Sequence, residues 1–422
     1  MLDYHPDEAF AKKLDAEDPL RGFRERFCIP AGPDAKPVIY FCGNSLGLMP
    51  TDARRLVQEE LEAWAEFGVD GHFKGPRPWY SYHEQFRENA ARIVGARPSE
   101  VVMMNSLTVN LHLMMVTFYR PTPQRYKILI ESPTFPSDLY AVKSQIRHHG
   151  FDPADALVTL QPREGEHHIQ TTDIESLLED HGDQIALVLL AGVNFNTGQV
   201  LDMPRIAEVA RREGCAIGLD LAHAVGNVPL SLHDWDVDFA VWCNYKYLNS
   251  GPGAVGGCFV HERHGKNLDL PRFAGWWGND PDTRFEMHRR LDFVPQEGVD
   301  GWQISNPPIL SAAPLLASLA VFDEAGMEAV RSKSLKLTGY LEYLLDRIEG
   351  QRFEIITPRD PGARGCQLSV LVNDDPRGRY KHLREKNIVV DFREPNVIRI
   401  APVPLYNTFH EVWRFAQVLA EN

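Results

Sequence analysis

Short apolar runs alternate with helix-period segments through the middle of the chain, from about residue 95 to residue 265. The apolar runs have the length of strands and lie at residues 101–104, 127–130, 185–190, 216–219 and 239–242. Helical patterns separate them, for example at 203–213. This alternation predicts an α/β fold with a mostly parallel sheet covered by helices on both faces. A further run at 254–260 follows a Gly-Pro-Gly turn too closely for a crossover helix, so we expect it to pair antiparallel.

The two ends of the chain have different patterns. The first sixty or so residues predict a helix, a strand at 38–41 and a turn at Gly43-Asn-Ser-Leu-Gly, and a helix follows at 51–67. Near the carboxyl end a helical region at 309–349, broken near Gly326, precedes several strand-like runs and a closing helix from about Phe409. Those runs lie at 353–356, 367–372, 388–391 and 397–400. We therefore predict three parts: an N-terminal segment (1–60) that packs on both domains, a large domain (61–310) and a small α+β C-terminal domain (311–422).

Composition narrows the class of protein. The chain has 422 residues, of which 44% are hydrophobic and 24% charged, as is ordinary for a globular enzyme. The formal net charge of −14, with no offsetting basic block, argues against nucleic-acid or acidic-membrane partners. Because the amino terminus lacks the features of a secretory signal and no run approaches 18 apolar residues, we expect a cytoplasmic protein without a membrane span.

The six cysteines are scattered along the chain, with no Cys-x-x-Cys pair and no histidine cluster at zinc spacing. Several lie in apolar runs, where a free thiol behaves as a small hydrophobic group. We therefore expect no metal site, and a reducing compartment.

An acid and a lysine follow two successive predicted strands. Asp220 ends one apolar run, and Lys246 follows the next, 26 positions later. This separation leaves room for one strand–connection–strand unit, so both side chains can meet at the carboxyl edge of a parallel sheet, where ligands bind. Pyridoxal phosphate requires such a pair, because a lysine holds it as a Schiff base and a carboxylate pairs with its ring nitrogen. Separately, each residue is more commonly a surface or turn residue.

Two further segments fit the same cofactor. Asn105-Ser-Leu-Thr-Val-Asn follows a predicted strand and opens a helix, so its backbone amides and the Thr108 hydroxyl can bind a phosphate. The alternative is an ordinary Ser/Asn helix cap. Phe135 follows another predicted strand, where its ring can stack on the pyridine ring or belong to the core.

Ordered motifs give the chain a resemblance to a known family. They are Gly43-Asn-Ser-Leu-Gly-Leu, Leu107-Thr-Val-Asn-Leu-His, Phe135-Pro-Ser-Asp-Leu-Tyr, Asp220-Leu-Ala-His-Ala-Val-Gly-Asn, Tyr245-Lys-Tyr-Leu-Asn, Ile304-Ser-Asn-Pro-Pro-Ile-Leu and Arg399-Ile-Ala-Pro-Val-Pro-Leu-Tyr-Asn. In these segments, which run from Gly43 to the carboxyl end, the chain resembles kynureninase, a hydrolase of the fold-type-I pyridoxal phosphate enzymes, and its animal-like branch in particular. The resemblance implies an aminotransferase-like fold and a homodimer with active sites at the subunit interface.

The resemblance also assigns roles to individual residues. Lys246 would hold the cofactor and act as catalytic base, with Tyr245 as a further acid or base. The other expected cofactor contacts are Leu107, Thr108, Phe135, Pro136, Ser137, Asp138, Asp220, His223, Trp276 and Asn306, some of them supplied by the partner subunit. The expected substrate contacts are Arg399, as the clamp for the α-carboxylate, and Asn44, Ser45, His72, Ser305 and Asn306. Ala191 is a departure, because relatives can carry a serine there.

The reaction implied by the resemblance is hydrolytic cleavage of the Cβ–Cγ bond of L-kynurenine or 3-hydroxy-L-kynurenine, which gives alanine and an anthranilate. It belongs to tryptophan catabolism and to the supply of NAD precursors. His72 with Asn306 can hydrogen-bond a ring hydroxyl, so we expect a preference for the 3-hydroxy substrate. The alternative for His72 is a loop histidine that caps a nearby backbone group.

Three other functions fit the sequence less well. A cysteine desulfurase or another fold-type-I lyase shares the architecture, but a desulfurase needs a reactive cysteine on a carboxyl-terminal loop. Cys366 directly precedes a predicted strand and has the pattern of a buried thiol. A non-catalytic regulatory module of this fold usually carries a DNA-binding segment, and none is visible. A nicotinamide dehydrogenase is disfavoured because no Gly-x-Gly-x-x-Gly follows an early strand.

Overall fold

The computed structural model of the chain describes residues 3–348, 350 and 353–421. The α-helices within these residues are α1 Glu8–Glu17, α2 Ala53–Phe67, α3 Arg87–Val94, α4 Leu107–Phe118, α5 Pro136–His148, α6 Pro153–Ala156, α7 Thr171–His181, α8 Met203–Arg212, α9 Glu262–Gly265, α10 Ile309–Ala325, α11 Met327–Leu345, α12 Pro376–Glu385 and α13 Phe409–Ala420. The strands are β1 Ile39–Tyr40, β2 Val101–Met103, β3 Lys127–Glu131, β4 Leu157–Leu160, β5 Ile185–Ala191, β6 Ala216–Asp220, β7 Phe239–Cys243, β8 Gly256–Val260, β9 Phe353–Ile355, β10 Leu368–Val372, β11 Ile388–Val389, β12 Asp391–Arg393 and β13 Val397–Ile400.

The central sheet of the large domain has seven strands in the order β2-β8-β7-β6-β5-β3-β4. Strands β4, β3, β5, β6 and β7 pair parallel, as the alternating pattern predicts. Strand β8 runs antiparallel to both β7 and β2, which confirms the expectation from the short Gly-Pro-Gly turn. The sequence of β5 is apolar almost throughout because helices cover the sheet on both faces.

Helix α8 shows how local sequence forms the covering layer. Asp202 caps its amino end by accepting a hydrogen bond from the Arg205 backbone N–H, and a proline occupies the first turn. Its buried side chains lie along one stripe and pack in the same core cluster as β5 and β6.

The small domain is built on a four-stranded antiparallel sheet in the order β12-β13-β10-β9. Helices α11 and α13 pack in its core cluster. The predicted helical break at Gly326 is confirmed, since this residue has φ 74° and separates α10 from α11. Helix α11 ends at Leu345, and the predicted end at Glu349 lies outside the described residues.

One prediction for the small domain needs correction. The run at 388–391 is not one strand: β11 pairs parallel with β1, whereas β12 pairs antiparallel with β13. The chain changes partner at Val390, which an apolar pattern cannot reveal. In the large domain the predicted strands omit β4, a four-residue strand at the sheet edge whose residues are half-buried or exposed.

The N-terminal residues contribute to both cores. Leu14 and Phe41 belong to the core cluster of the small domain, and Leu20 and Phe27 to a cluster of the large domain. The exact boundaries at residues 60 and 310 stay a prediction. Within the described residues no single helix is long and apolar enough to cross a membrane. Helices α10 and α11 reach the required length and apolar content only when they are taken together, and they meet at a bend of 81°.

Candidate active site

The carboxyl ends of β6 and β7 bring the acid and the lysine to one cavity. Asp220 is the last residue of β6, and its Oδ1 accepts a hydrogen bond from the Ala222 N–H at 2.7 Å. Lys246 follows β7, and its Nζ lies 3.0 Å from Nε2 of His223. Both side chains line this cavity. Its lining residues are Leu107, Thr108, Phe135, Asp138, Ala191, Val193, Phe195, Asp220, Ala222, His223, Tyr245 and Lys246.

His223 is neutral in this site. Burial, and then the positive charge of Lys246, lower the pKa of its imidazole well below the ordinary value. Its Nε2 therefore accepts a hydrogen bond from the Lys246 ammonium, which places the ring proton on Nδ1. Nδ1 is buried without a partner among the described residues. A buried donor in this state is suited to an acceptor atom of a bound molecule.

Two carboxyl groups face each other across the floor of the cavity. Asp138 and Asp220 are both buried. Burial, and then the charge and hydrogen bond of Asp220, raise the pKa of Asp138 well above its ordinary value. Asp138 is therefore the carboxyl group of the two that favours the protonated form. Oδ1 of Asp138 has no partner among the described residues, so the pair retains an acceptor for a protonated ring nitrogen.

Two helix amino termini meet beside the same cavity. Helix α4 begins at Leu107 and α5 at Pro136, and no side chain caps either one. The hydroxyl oxygens of Thr108 and Ser137 lie 3.1 Å apart, which brings the two first turns together. Uncapped backbone N–H groups and positive dipole ends at one place are suited to a phosphate dianion.

Backbone packing around the phosphate cradle leaves little room for side chains. A Cβ atom added at Gly256 would lie 3.1 Å from the Ser106 carbonyl carbon and 3.2 Å from the Leu107 nitrogen. The glycine therefore permits β8 to approach the start of α4 closely.

The aromatic side of the cavity is formed by two phenylalanines. The rings of Phe135 and Phe195 meet edge to face, with centroids 5.4 Å apart. Nζ of Lys246 lies 5.7 Å from the centroid of Phe135. Phe135 is 38% exposed, so its face is available to a flat ring bound over the lysine.

Arg399 lies behind Phe195, at the junction of the small and large domains. Its Nη1 donates to the Phe195 carbonyl at 2.6 Å, and its Nε donates to Asp391 at 2.9 Å. Gln367 also donates to the Phe195 carbonyl, at 3.2 Å, and accepts from the Asn44 amide at 2.8 Å. Oδ1 of Asn44 is buried and has no partner in the described part of the chain. Arg399 and Asn44 thus belong to one network behind Phe195, and neither of them lines the cavity itself.

Several residues expected at the site do not line this cavity. His72 and Trp276 are half-buried, and Ser305 and Asn306 are exposed, with the Ser305 hydroxyl donating to Asn306 at 3.3 Å. Nδ1 of His72 donates to the Val69 carbonyl at 3.0 Å, so this ring does cap a nearby backbone group. Pro136 and Ser137 flank the cavity through α5. Ser45 does not line the cavity, and its N–H donates to the Cys42 carbonyl at 3.0 Å.

Tyr245 lines the cavity beside the lysine. Burial, and then the neighbouring Cys243, raise the pKa of its phenol above the ordinary value. The group therefore keeps its proton and is a proton donor at neutral pH. Its carbonyl accepts a hydrogen bond from the Gly47 N–H at 2.8 Å, which joins the N-terminal turn to the lysine loop.

Sequence reasoning missed Phe195, Gln367 and Asp391. None lies in a motif or at the end of a predicted strand of the central sheet. Phe195 and Gln367 acquire their contacts from distant parts of the chain, as in the Asn44–Gln367 hydrogen bond. Asp391 contacts Arg399 across the neighbouring pair of strands β12 and β13. Ala191 was singled out as a departure, and it lies in the cavity wall.

One group of possible metal ligands occurs among the described residues, at the opposite edge of the sheet. It consists of Glu100, His233 and His261. Nδ1 of His261 accepts the Arg263 N–H at 3.1 Å, and Oε2 of Glu100 accepts the Arg97 N–H at 2.8 Å. These ligand atoms are occupied by backbone donors, so the group is a hydrogen-bonded structural cluster.

Cys366 does not have the surroundings of a catalytic thiol. It is 1% exposed, and its N–H donates to the Asn227 side chain at 2.8 Å. Burial raises the pKa of the thiol to about 12, so little thiolate forms at neutral pH. This disfavours a desulfurase that attacks with a carboxyl-terminal cysteine.

The fold is shared with solved structures of low sequence identity. The cysteine desulfurase CsdA from Escherichia coli matches with a TM-score of 0.77 and 18% identity over 95% of this chain and 98% of that one. The cystine C–S lyase C-DES, in complex with its product cysteine persulfide, matches with a TM-score of 0.74 and 20% identity over 92% and 99%. With its lysine and carboxylate at the carboxyl edge of the sheet, the chain has the architecture of the fold-type-I pyridoxal phosphate enzymes.

Curated relatives resolve the family within this class. Kynureninase from Myxococcus xanthus is 57% identical over 99% of this chain and 97% of its own length. Kynureninase from Koribacter versatilis is 54% identical over 98% and 97%. The family model for the kynureninase C-terminal domain matches residues 330–419. The chain belongs to the kynureninase family, which confirms the resemblance given by the sequence motifs.

Proposed function

We propose that the chain hydrolyses the Cβ–Cγ bond of L-kynurenine or 3-hydroxy-L-kynurenine with pyridoxal phosphate as cofactor. The observation that carries the proposal is the cavity in which Lys246 and the Asp138–Asp220 pair meet two uncapped helix ends, in a chain of this family. The residues present fit the cofactor: an unpaired His223 Nδ1, a protonated carboxyl pair and the Thr108–Ser137 cradle match its polar groups.

Each residue has a task that follows from its surroundings. When bound, pyridoxal phosphate withdraws electrons from the Cα of the substrate. Lys246 is the lysine that lines the cavity, and it accepts and returns the Cα proton. Tyr245 retains its phenolic proton and donates it toward the ketone oxygen as water adds there. Arg399 binds the α-carboxylate through its guanidinium.

The first experiment is to replace the lysine. Lys246→Ala removes the amine that holds the cofactor and moves the proton, so we expect kynurenine turnover to fall by at least about 10³-fold. The visible absorption band of the lysine-bound cofactor should also vanish. Anthranilate fluorescence and absorption spectra measure the two effects. Lys127→Ala, at the start of β3, is the matched control and should retain both.

The proposal fails if Lys246→Ala keeps full turnover. It also fails if purified wild-type protein develops no visible band with pyridoxal phosphate. Persulfide formation from added cysteine would instead revive the desulfurase alternative.

We further propose that the 3-hydroxy substrate is preferred. Because Nδ1 of His72 donates to the Val69 carbonyl, its Nε2 carries a lone pair that can accept a ring hydroxyl. Asn306 is exposed and offers an amide to the same group. A site with such groups loses binding when the hydroxyl is missing.

Kinetic constants for both substrates test this preference. We expect a higher kcat/KM for 3-hydroxykynurenine, and we expect His72→Ala to reduce the ratio of the two values by about tenfold. A wild-type kcat/KM at least as high for unsubstituted kynurenine would show that the proposed preference is wrong.

We infer that the working form is a homodimer with active sites at the subunit interface. Four side chains form a surface that we name the aromatic patch: Phe73, Tyr80, Trp276 and Phe285. His72 lies beside it, in contact with Phe73. Phe73 is 61% exposed and Phe285 is 52% exposed. Adjacent exposed rings of this kind are typical of interaction sites. A second copy that covers the patch would receive His72 and Trp276 at its own cavity, where the family resemblance expects them.

We also propose that the enzyme works in the cytoplasm. All six cysteines of the chain are free thiols, and four of them are buried. This state is typical of a reducing compartment.

A further inference from the structure

Glu131 is a buried carboxyl group beneath the cavity wall. It is the last residue of β3 and is 2% exposed. Its Oε2 accepts the backbone N–H of Ala191 at 3.2 Å. Ala191 ends β5, lines the cavity and pairs with Asp220 in the sheet. Glu131 therefore holds in place the strand end that lies beside the carboxylate expected to contact the cofactor.

The same region contains an excess of acidic groups. Asp138 lies at the start of α5 and Asp220 at the end of β6. The charge of Asp220 raises the pKa of both Asp138 and Glu131. The cation that faces these groups is Lys246, and His223 beside it is neutral. Three ionised carboxylates in such a buried space would repel one another strongly.

Glu131 relieves this repulsion when it is protonated. Burial, and then the charge of Asp220, raise the pKa of Glu131 to about 7, against the opposing effect of the backbone N–H groups of Glu131 and Ala191. A hydrogen bond with the Thr134 side chain also lowers the pKa of Glu131. A protonated carboxyl still offers its carbonyl oxygen to the Ala191 N–H.

We propose that Glu131 is a positioning residue for the cofactor site. Its carboxyl fixes the end of β5 at Ala191, and in its protonated form it adds no negative charge to the Asp138–Asp220 pair beneath the ring nitrogen. With Asp138 protonated, the pair carries at most one negative charge, which matches one protonated ring nitrogen. This inference rests on the proposed function, because it assigns a role to Glu131 toward the bound pyridoxal phosphate.

A consequence appears in the pH titration of the bound cofactor. Above about pH 7 the wild-type Glu131 ionises and adds a negative charge, which raises the pKa of the nitrogen that joins Lys246 to the cofactor. Glu131→Gln keeps an oxygen for the Ala191 N–H but cannot ionise. We expect it to lower the midpoint of the visible-band titration by about 0.5–1 pH unit.

Removing the acceptor tests the positioning role separately. Glu131→Leu leaves the Ala191 N–H buried without a partner, so we expect the Kd of pyridoxal phosphate to rise by about tenfold or more. The Kd is measured by titrating the cofactor-free, full-length protein with pyridoxal phosphate. Circular dichroism of each variant reports whether the fold is retained.

Infrared spectra detect the proton itself. Cofactor-free wild-type protein at pH 6 should show a carbonyl band of a protonated carboxyl group that Glu131→Gln lacks. Glu100→Gln is the matched control, because it alters a buried glutamate at the opposite edge of the sheet. It should leave the titration midpoint and the Kd unchanged.

The outcomes separate this inference from the proposed function. An unchanged titration midpoint in Glu131→Gln shows that Glu131 does not set the charge of the site. Wild-type affinity in Glu131→Leu shows that it does not position the strand end. Absence of a visible band in the wild-type protein would refute the proposed function itself.

Discussion

Arg399, which we propose binds the substrate carboxylate, is held in one orientation by its neighbours. The side chain is 1% exposed, and Asp391 contacts both its Nε and its Nη2, at 2.9 and 2.8 Å. The carboxylate fixes the plane of the guanidinium and balances its charge before any substrate arrives. A lysine cannot replace this planar arrangement, because an ammonium group donates from a single point.

The prediction at this scale concerns Arg399→Lys. We expect KM for kynurenine to rise about 10–100-fold, with kcat changed by less than about threefold, because the lost contact binds a part of the substrate that does not react. Arg393→Lys is the matched control, since Arg393 also contacts Asp391 but is much more exposed. A fall in kcat at constant KM would assign Arg399 to the chemical step instead.

The sequence reveals only some residues of the site. Asp220 and Lys246 follow strands of strong apolar pattern, so their meeting can be deduced from parallel pairing alone. Phe195 follows no such rule, because it contacts Arg399 from a distant part of the chain, and that contact depends on how the two domains pack. Asp391 contacts Arg399 from the neighbouring strand β12, so its role depends on the strand pairing of the small domain.

At the scale of elements, we propose that the first turns of α4 and α5 bind the phosphate of the cofactor. Because no side chain caps either helix, their first N–H groups remain available to a ligand. A missing cap alone is not distinctive, because α2, α3, α7, α10 and α11 also begin without a side-chain cap. The ends of α4 and α5 differ in meeting beside the cavity, with the Thr108 and Ser137 hydroxyl oxygens 3.1 Å apart.

Thr108→Val tests this assignment. We expect the Kd of pyridoxal phosphate to rise about tenfold, because a hydroxyl donor to the phosphate is lost. Thr108→Ser should restore most of the affinity. Thr159→Val on the exposed edge strand β4 is a control of the same chemistry and should bind as the wild type does. Equal Kd values for the valine variants at both positions would exclude the proposed cradle.

Strand prediction succeeds and fails for physical reasons. Buried central strands such as β5 consist of apolar residues because both of their faces are covered. The edge strand β4 is partly in solvent, and its short run Leu-Val-Thr-Leu is missing from the predicted strands although it is mostly apolar. The division of 388–391 into β11 and β12 depends on which strands lie nearby, and that is decided by tertiary pairing.

At the scale of the whole molecule, the inferred dimer makes a prediction about mixed subunits. If each site uses its own Lys246 and the partner's Trp276, co-expression of Lys246→Ala with Trp276→Ala creates heterodimers with one intact site. Random pairing then restores about a quarter of wild-type activity per subunit. Lys246→Ala co-expressed with Asp220→Asn is the control and should recover none, because both changes affect a subunit's own site. No recovery in the first mixture would contradict a shared site.

A second prediction at this scale concerns acid stability. His83 is buried beneath the aromatic patch, with its ring centroid 6.1 Å from that of Trp277. Burial, and then the charges of Arg87 and Arg284, lower its pKa to about 3. Since the unfolded chain takes up this proton near pH 6.5 and the folded chain does not, stability is lost as pH falls from 6.5 toward 3.

Denaturant unfolding at pH 7.5 and pH 5 measures this effect. Between these values His83→Gln should lose about 2 kcal/mol less of its unfolding free energy than the wild type does. His148→Gln, on the exposed side of α5, is the control and should follow the wild type. Identical pH dependence in wild type and His83→Gln would show that this histidine is not linked to folding.

The short parallel pair β1–β11 has a consequence for synthesis of the chain. Ile39 pairs with Ile388, so β1 lacks its partner until about 350 further residues have left the ribosome. At bacterial and eukaryotic rates this interval is roughly 20–70 s. The turn after β1 supplies Asn44 and reaches the lysine loop through Gly47. A nascent chain can therefore fold its central sheet during translation, but it cannot complete the active site until the small domain has emerged.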